Sequence, residues 1–413
     1  MWLLPEAGKL GRDRGGRVRA AVVVAGLAVL AGYLIPGLAH PAAEWPLWDV
    51  SVYWWGGQQA VHDTALYAAG QPVSFTYPPF AAALFGIGAD APLGYLQAAV
   101  TIGSICALPV LCWLALGAAG LPRRPEIVFA VTALALLTEP VRYTLHLGEV
   151  NLILAALVGA DLLRRRDGGW WQGIATGLAA GIKLTPLIFV AYLLITRRAR
   201  AAATATATFA ATITAGFVLL PSQSRAFWLG GVFLNERRIA NPANPSDQSV
   251  SGVLARLGGG PGAARPWLLA AELLIAVAGL AIAAWAHQRG HRLAGVACCG
   301  ITGLLVSPIS WTHHWVWVVP LLITLTTTAW RRRSRWYALA AVAVAVIFSG
   351  TIPIPWPWHQ PGLLRQLADD LYVLCGLAVL AATALTLAQE RAAAGSDQSR
   401  PGIADPEPML GRP

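Results

Sequence analysis

The sequence predicts an all-α polytopic membrane protein, and three observations carry that expectation. Of 413 residues, 56% are hydrophobic and only 12% are charged, against about 25% charged in soluble domains. The apolar residues come in runs approaching the roughly 20 needed to cross a bilayer as a helix. Lys and Arg number 30 against 20 Asp and Glu, yet they gather in short clusters between the runs, as cytoplasmic loops of membrane proteins do. That clustering argues against a nucleic-acid partner, which calls for a basic face or stripe.

Taking the elements in order, the clusters Lys9 to Arg19, Arg123/Arg124, Arg164 to Arg166, Arg197 to Arg200, Arg289 to Arg292 and Arg331 to Arg335 belong inside. The hydrophilic stretches between them then lie outside: residues 40–76, the turn Leu147-Gly148-Glu149, the loop 221–265, the turn Ser307 to His314, and Pro353 to Gln366. Helices are expected at 21–38, 97–117, 127–146, 149–163, 201–220, 267–286, 293–309, 315–330, 336–352 and 368–389. The first follows a basic segment but is long enough to span, so it is read as an uncleaved helix. Phe80 to Ala89 is too short to cross and is expected as an interfacial or re-entrant piece. Trp170 to Ile195 starts and ends beside basic clusters, which implies two short helices meeting at Gly181-Ile182-Lys183-Leu184-Thr185-Pro186. Such a break is tolerated only where it is buried in protein or lines a wet cavity. The expectation is about 10–12 membrane helices. They form one domain over 1–389, followed by a disordered cytoplasmic tail over 390–413.

The chemistry-bearing residues fall mostly at the outer helix ends. All five cysteines lie inside apolar runs, where a thiol acts as a small hydrophobe, and no Cys/His metal spacing appears. Glu139, Arg142 and His146 share one helix face, either as a paired acid and base locking helices together or as ligand contacts. Glu149 and Asn151 open the next helix. The turn Ser307 to Trp315 holds the adjacent imidazoles of His313 and His314. A His in such a place is more often structural, and a His/His/Asp zinc site has no readable ligand set here. Lys183, in the break, needs an anion, carbonyls or water, or snorkels to the cytoplasm; a lipid phosphate is one suitable anion. The loop 221–265 carries Arg237, Arg238, Asn241, Asn244, Asp247, Gln248 and Ser249, which suit a sugar but also an amphipathic surface helix. Asp49 stands among Trp45, Trp48, Tyr53, Trp54 and Trp55. It is either an incidental acid in an aromatic belt or a functional carboxylate at the membrane surface.

Several of these stretches, taken in order, resemble one known family. They are Asp49 with Val52-Tyr53, Leu66-Tyr67, Phe75-Thr76-Tyr77-Pro78-Pro79, Gly148-Glu149-Val150-Asn151, Gly181 to Pro186, Asp247-Gln248-Ser249, and Ser307-Pro308 with Trp311-Thr312-His313-His314. Together they are similar to glycosyltransferase family 87. The resemblance implies the GT-C fold and a polyprenol-phosphate-mannose-dependent α-1,2-mannosyltransferase of the bacterial plasma membrane. It also implies an active site on the outer side and a phosphatidylinositol mannoside as acceptor. On that reading Asp49 is the catalytic base, His313 acts with it, and Lys183, Arg237, Arg238 and His314 meet the donor phosphate. Trp48, Tyr53, Tyr77, Glu139, Arg142, His146, Glu149, Asn151 and Gln248 become the acceptor and sugar contacts. Glu149 departs from the Gln expected at its position. No cofactor or metal is expected beyond the lipid-linked donor. The rivals are another envelope glycan as acceptor, such as lipomannan, a lipid-linked-sugar transporter, which would spread its charges through the midplane, and a structural scaffold.

Overall fold

The computed structural model describes residues 6–40, 43, 45–62, 64, 66–68, 74–164, 169–235, 241, 243–259, 266–351 and 362–398. Helices follow one another as α1 (Glu6–Ala39), α2 (Trp48–Val61), α3 (Pro79–Gly86), α4 (Leu93–Ala118), α5 (Pro125–Ala135), α6 (Glu139–Leu147), α7 (Asn151–Leu162) and α8 (Ile174–Ile182). They continue as α9 (Ile188–Ile195), α10 (Ala199–Leu219), α11 (Pro266–Gln288), α12 (Arg292–Val306), α13 (Val318–Arg332), α14 (Arg335–Ile347), α15 (Leu363–Asp369) and α16 (Leu371–Gln398). Among the described residues there is no strand, only an isolated antiparallel bridge between Asp247 and Trp311.

Helices win in these runs because a bilayer offers no water to main-chain N–H and C=O groups, so each segment must satisfy its own. Five helices among the described residues, within α1, α4, α10, α11 and α16, are long and apolar enough to cross, and the bent pair α5 and α6 passes the same test only when counted together. Four shorter apolar helices accompany them, at Asn151–Leu162, Thr185–Ile195, Arg292–Val306 and Arg335–Ile347. Val24 and Leu27 on α1 and Leu273, Leu274 and Val277 on α11 stand exposed, as suits side chains that face lipid. Leu111, Leu152, Val158, Val296 and Leu305 close the interior. The protein is a multi-pass membrane protein.

Three features depart from the linear reading. The stretch 127–146 is not one helix: α5 and α6 meet at 81°. Pro140 has no N–H to continue the helix, and the Glu139 N–H donates instead to the Phe348 carbonyl at 2.6 Å. Within 40–76, taken as loop, α2 forms and buries Val50, Tyr53, Gly56 and Gly57 along one side. Finally, α16 runs on to Gln398, past the boundary at 389, first through Glu390 to Ala394, which favour helix; residues 399–413 lie outside the described residues. Phe80 to Ala89 contains the short helix α3, and 170–195 is broken at Lys183, whose backbone is extended.

The basic connections gather at one end of the bundle. An Arg331 nitrogen donates to the Ala119 carbonyl at 2.6 Å and one of Arg198 to the Asp161 carbonyl at 3.2 Å, while Arg292 donates to the Arg164 carbonyl. The N-terminus of α7 and the break before α9 point to the other end.

Candidate active site

Asp49 lies in the first turn of α2, and that turn is held by the corner between α6 and α7. Leu47, in the left-handed backbone region at φ 51°, donates its N–H to the His146 carbonyl at 3.1 Å. Gly148 ends α6 at φ 72°, and a Cβ there would come within 2.4 Å of the Val50 side chain. Only glycine takes both that conformation and that approach without strain. The close packing sets the next residue, Glu149, into the same region as Asp49.

Glu149 is almost wholly buried, at 1% exposure, and five side chains converge on it. One carboxylate oxygen lies 2.5 Å from the Lys183 Nζ and accepts from the Tyr77 hydroxyl at 3.2 Å, with the His314 Nε2 at 3.4 Å. The other lies 2.9 Å from the His313 Nε2 and 2.5 Å from the Asn151 amide nitrogen. Burial alone would raise the Glu149 carboxyl. Lys183, then His314 and His313, outweigh it and hold the group well below the usual carboxylate range.

Lys183 therefore does not snorkel. Its ammonium is also 3.1 Å from the Asn151 amide oxygen and 3.2 Å from the His314 Nε2. Burial pushes the His314 imidazole down to about 3, and the Lys183 charge acts the same way. The His314 Nε2 thus faces both the Lys183 ammonium and the Glu149 carboxylate. The Nδ1 atoms of both His313 and His314 are buried and meet no hydrogen-bond partner among the described residues. Glu149, His313 and His314 form the one group of potential metal ligands among the described residues, their ligand atoms within 4.8 Å of one another. Lys183 already brings a cation to Glu149 and His314.

Asp49 differs from Glu149 in having no hydrogen-bond or ion-pair partner among the described residues. Burial pushes its carboxyl up to about 7, Glu149 adds to the rise, and His313 and Lys183 pull the other way. A cavity opens beside the cluster. Asn151, Lys183, Thr185 and His314 line its polar part, while Leu154, Val158, Phe189, Leu304 and Trp317 line its apolar part, between α7, α9 and α12.

The other expected residues divide into shell and framework. Tyr53 is fully buried, stacked on Phe85, and its hydroxyl lies 3.1 Å from that of Tyr77. It supports the Glu149 corner and has no surface for a sugar. Trp48 is 66% exposed, next to Asp49 in the first turn of α2. Glu139 does not pair with Arg142: it accepts from Thr312 at 2.8 Å and from the Tyr372 hydroxyl at 3.0 Å, and Arg142 donates to the Ser349 carbonyl. His146 stacks on Tyr143. Gln248, expected at the sugar, is fully buried, with its amide nitrogen on the carbonyls of Pro245 and Asp369 and its oxygen on the Tyr372 N–H. Both its amide hydrogens are used by main chain, so it is a strut. Arg237 and Arg238 lie outside the described residues. Linear reading missed Thr144, whose hydroxyl donates to the His313 carbonyl at 2.8 Å, and the Arg256–Asp370 ion pair at 2.6 Å. A Thr between the more conspicuous Arg142 and His146 gives no signal of its own, and the ion pair joins residues far apart in sequence.

The sequence model of glycosyltransferase family 87 matches residues 75–308, a span that includes Glu149, Lys183 and Asp247 but neither Asp49 nor the paired histidines. A polyprenol-phosphate-mannose-dependent alpha-(1-2)-phosphatidylinositol mannoside mannosyltransferase of Mycobacterium tuberculosis is 31% identical over 362 residues, 78% of this chain and 79% of the relative. A polyprenol-phosphate-mannose-dependent alpha-(1-2)-phosphatidylinositol pentamannoside mannosyltransferase of Mycolicibacterium smegmatis is 36% identical over 315 residues, 74% of each. No solved structure gives a significant match. With more than half of its length matched by the family model, and relatives of this identity covering about three quarters of it, the chain is a membrane-embedded glycosyltransferase and belongs to glycosyltransferase family 87.

Proposed function

We propose that this chain transfers mannose from polyprenyl-phosphate-mannose to a 2-hydroxyl of a phosphatidylinositol mannoside, at the outer leaflet of the plasma membrane. The observation that carries the reading is an unpaired carboxylate, Asp49, beside a buried cluster of Lys183, Glu149 and two imidazoles whose cavity continues into an apolar groove. A lipid phosphate fits that gradient: charged group at Lys183 and the Nδ1 sides of the histidines, isoprenoid chain between α7, α9 and α12.

In the reaction the acceptor oxygen attacks the anomeric carbon of the donor and gives its proton to Asp49. The bond from that carbon to the phosphate oxygen breaks, and polyprenyl phosphate leaves with the electron pair. Inversion in one displacement needs one base and no second carboxylate nucleophile. Lys183 and a histidine N–H stabilise the charge gathering on the leaving phosphate. A metal is dispensable on this reading because an ammonium holds that place. The basic connections at the far end of the bundle support an outward-facing site.

The test is purified protein in nanodiscs with radiolabelled mannosyl-phosphoryl-polyprenol and a panel of acceptors. Label on a phosphatidylinositol mannoside, lost in Asp49→Asn, is the expected result. Label only on a lipomannan-type glycan moves the acceptor, and transport of intact donor without transfer overturns the reading.

A further inference from the structure

The turn that presents His313 and His314 is joined to α12 by one side chain, the Ser310 hydroxyl, which donates to the Leu304 carbonyl at 2.7 Å, while its main chain is tied elsewhere. It is fastened to the segment 246–248 from the long outer loop. The Gln248 N–H donates to the Ser310 carbonyl at 2.6 Å and the Thr312 N–H donates to the Ser246 carbonyl at 3.0 Å. Between these ties lies Asp247, fully buried. One of its carboxylate oxygens accepts the Ser310 N–H at 2.9 Å and the Ser249 N–H at 3.2 Å. The other is buried with no hydrogen-bond partner among the described residues, and sits where a Cβ on Gly252 would come within 3.0 Å. Arg256 grips the same segment from behind, donating to the Asn244 and Asp247 carbonyls while pairing with Asp370. On its far side the turn is fixed by Thr144 and Asn151, which both donate to the His313 carbonyl.

We infer that Asp247 is a positioning residue for the transfer reaction: through Ser310 it sets the turn that aims His313 and His314 at the donor phosphate. The inference rests on the function proposed above. It concerns a side chain that touches no substrate. The feature of Asp247 that acts is one acceptor oxygen at a fixed point, because a buried main-chain N–H left without an acceptor moves to find one. When that N–H is three residues from an imidazole, the imidazole moves too, and misplacement by about 1 Å costs on the order of 100-fold in rate.

The experiment compares Asp247→Ala and Asp247→Asn in nanodiscs, with wild-type turnover as the control for the proposed function. Asn keeps the acceptor oxygen and should retain at least half of kcat. Ala should lose about 10- to 100-fold in kcat with the donor KM changed less than about 3-fold. In the double variant Asp247→Ala/His313→Ala the loss should be no larger than in His313→Ala alone, since residues acting through one another are not additive. Should Asp247→Ala fail to fold, Asp247→Ser, which lacks the reach to Ser310, is read by the same split. An Asn variant as inactive as Ala overturns the inference, since charge rather than geometry would then matter. Full activity of the Ala variant, or additive losses with His313→Ala, overturns it as well. Absence of transfer by the wild type defeats the proposed function instead.

Discussion

The Lys183 ammonium and the Glu149 carboxylate lie 2.5 Å apart, with side chains 15% and 2% exposed. Removing one partner of so enclosed a pair strands the other charge. Lys183→Ala should lower stability by about 3 kcal/mol, seen as a fall in melting temperature in detergent. Lys183→Met combined with Glu149→Gln should recover most of that loss without restoring turnover. Recovery of activity in the double variant would mean that Lys183 serves only to neutralise Glu149.

Asp49 provides the pH signature. Its carboxyl titrates near 7, and only the ionised form accepts a proton, so kcat/KM should climb as pH rises through about 7. Glu149→Gln removes a charge that contributes to the rise, so the acidic limb should move to lower pH. Stability should respond oppositely. The folded carboxyl keeps a proton that the unfolded chain releases near 4, so the fold is progressively weakened as pH rises between about 4 and about 7. Asp49→Asn should lose on the order of 100- to 10,000-fold in turnover while still binding donor, and should flatten both pH effects.

On the proposed reading the two imidazoles have separable tasks. The His314 Nε2 lies 3.2 Å from the Lys183 ammonium, so His314→Ala should chiefly raise the donor KM. His313 meets Glu149 through Nε2 and leaves Nδ1 unpartnered, so His313→Ala should lower kcat deeply. Steady-state kinetics of the two variants with varied donor decide between this assignment and its reverse.

Chelation addresses the metal question. With Lys183 supplying the cation at Glu149 and His314, turnover should survive EDTA followed by gel filtration, and metal analysis of the active protein should be substoichiometric. Loss of activity restored by a divalent ion would reassign Glu149, His313 and His314 as its ligands.

Gly148 ties Glu149 to α2. Gly148→Ala must hold a left-handed backbone and push against Val50. It should cost about 1–3 kcal/mol from the backbone alone, and should lower kcat more than a surface substitution of equal instability.

Much of the bundle was legible because hydrophobic length and basic clusters report the bilayer directly, and the break at Lys183 followed from the same rules. The bend at Pro140 was written in the sequence too, yet an unbroken apolar count hid it. Within the candidate site, residue type was legible and partnership was not. Lys183 called for an anion, but nothing in the linear order says that the anion is Glu149. Gln248 has the chemistry of a sugar contact, and it took the approach of Asp369 and Tyr372, more than a hundred residues on, to make it a strut. Asp49 was visible as an acid among rings, whereas its lack of a partner is a property of the folded surroundings.

The length of α7 carries one more consequence. Its 12 residues span roughly 18 Å between the basic end of the bundle and Glu149, well short of the roughly 30 Å hydrocarbon thickness. On the proposed reading the reacting groups then sit beneath the opposite surface, where both lipid partners reach them sideways with their chains still in the bilayer. On that reading bulk water, the competing nucleophile, has to enter from the opposite surface. Depth would then favour passage of the activated sugar to another hydroxyl over loss by hydrolysis.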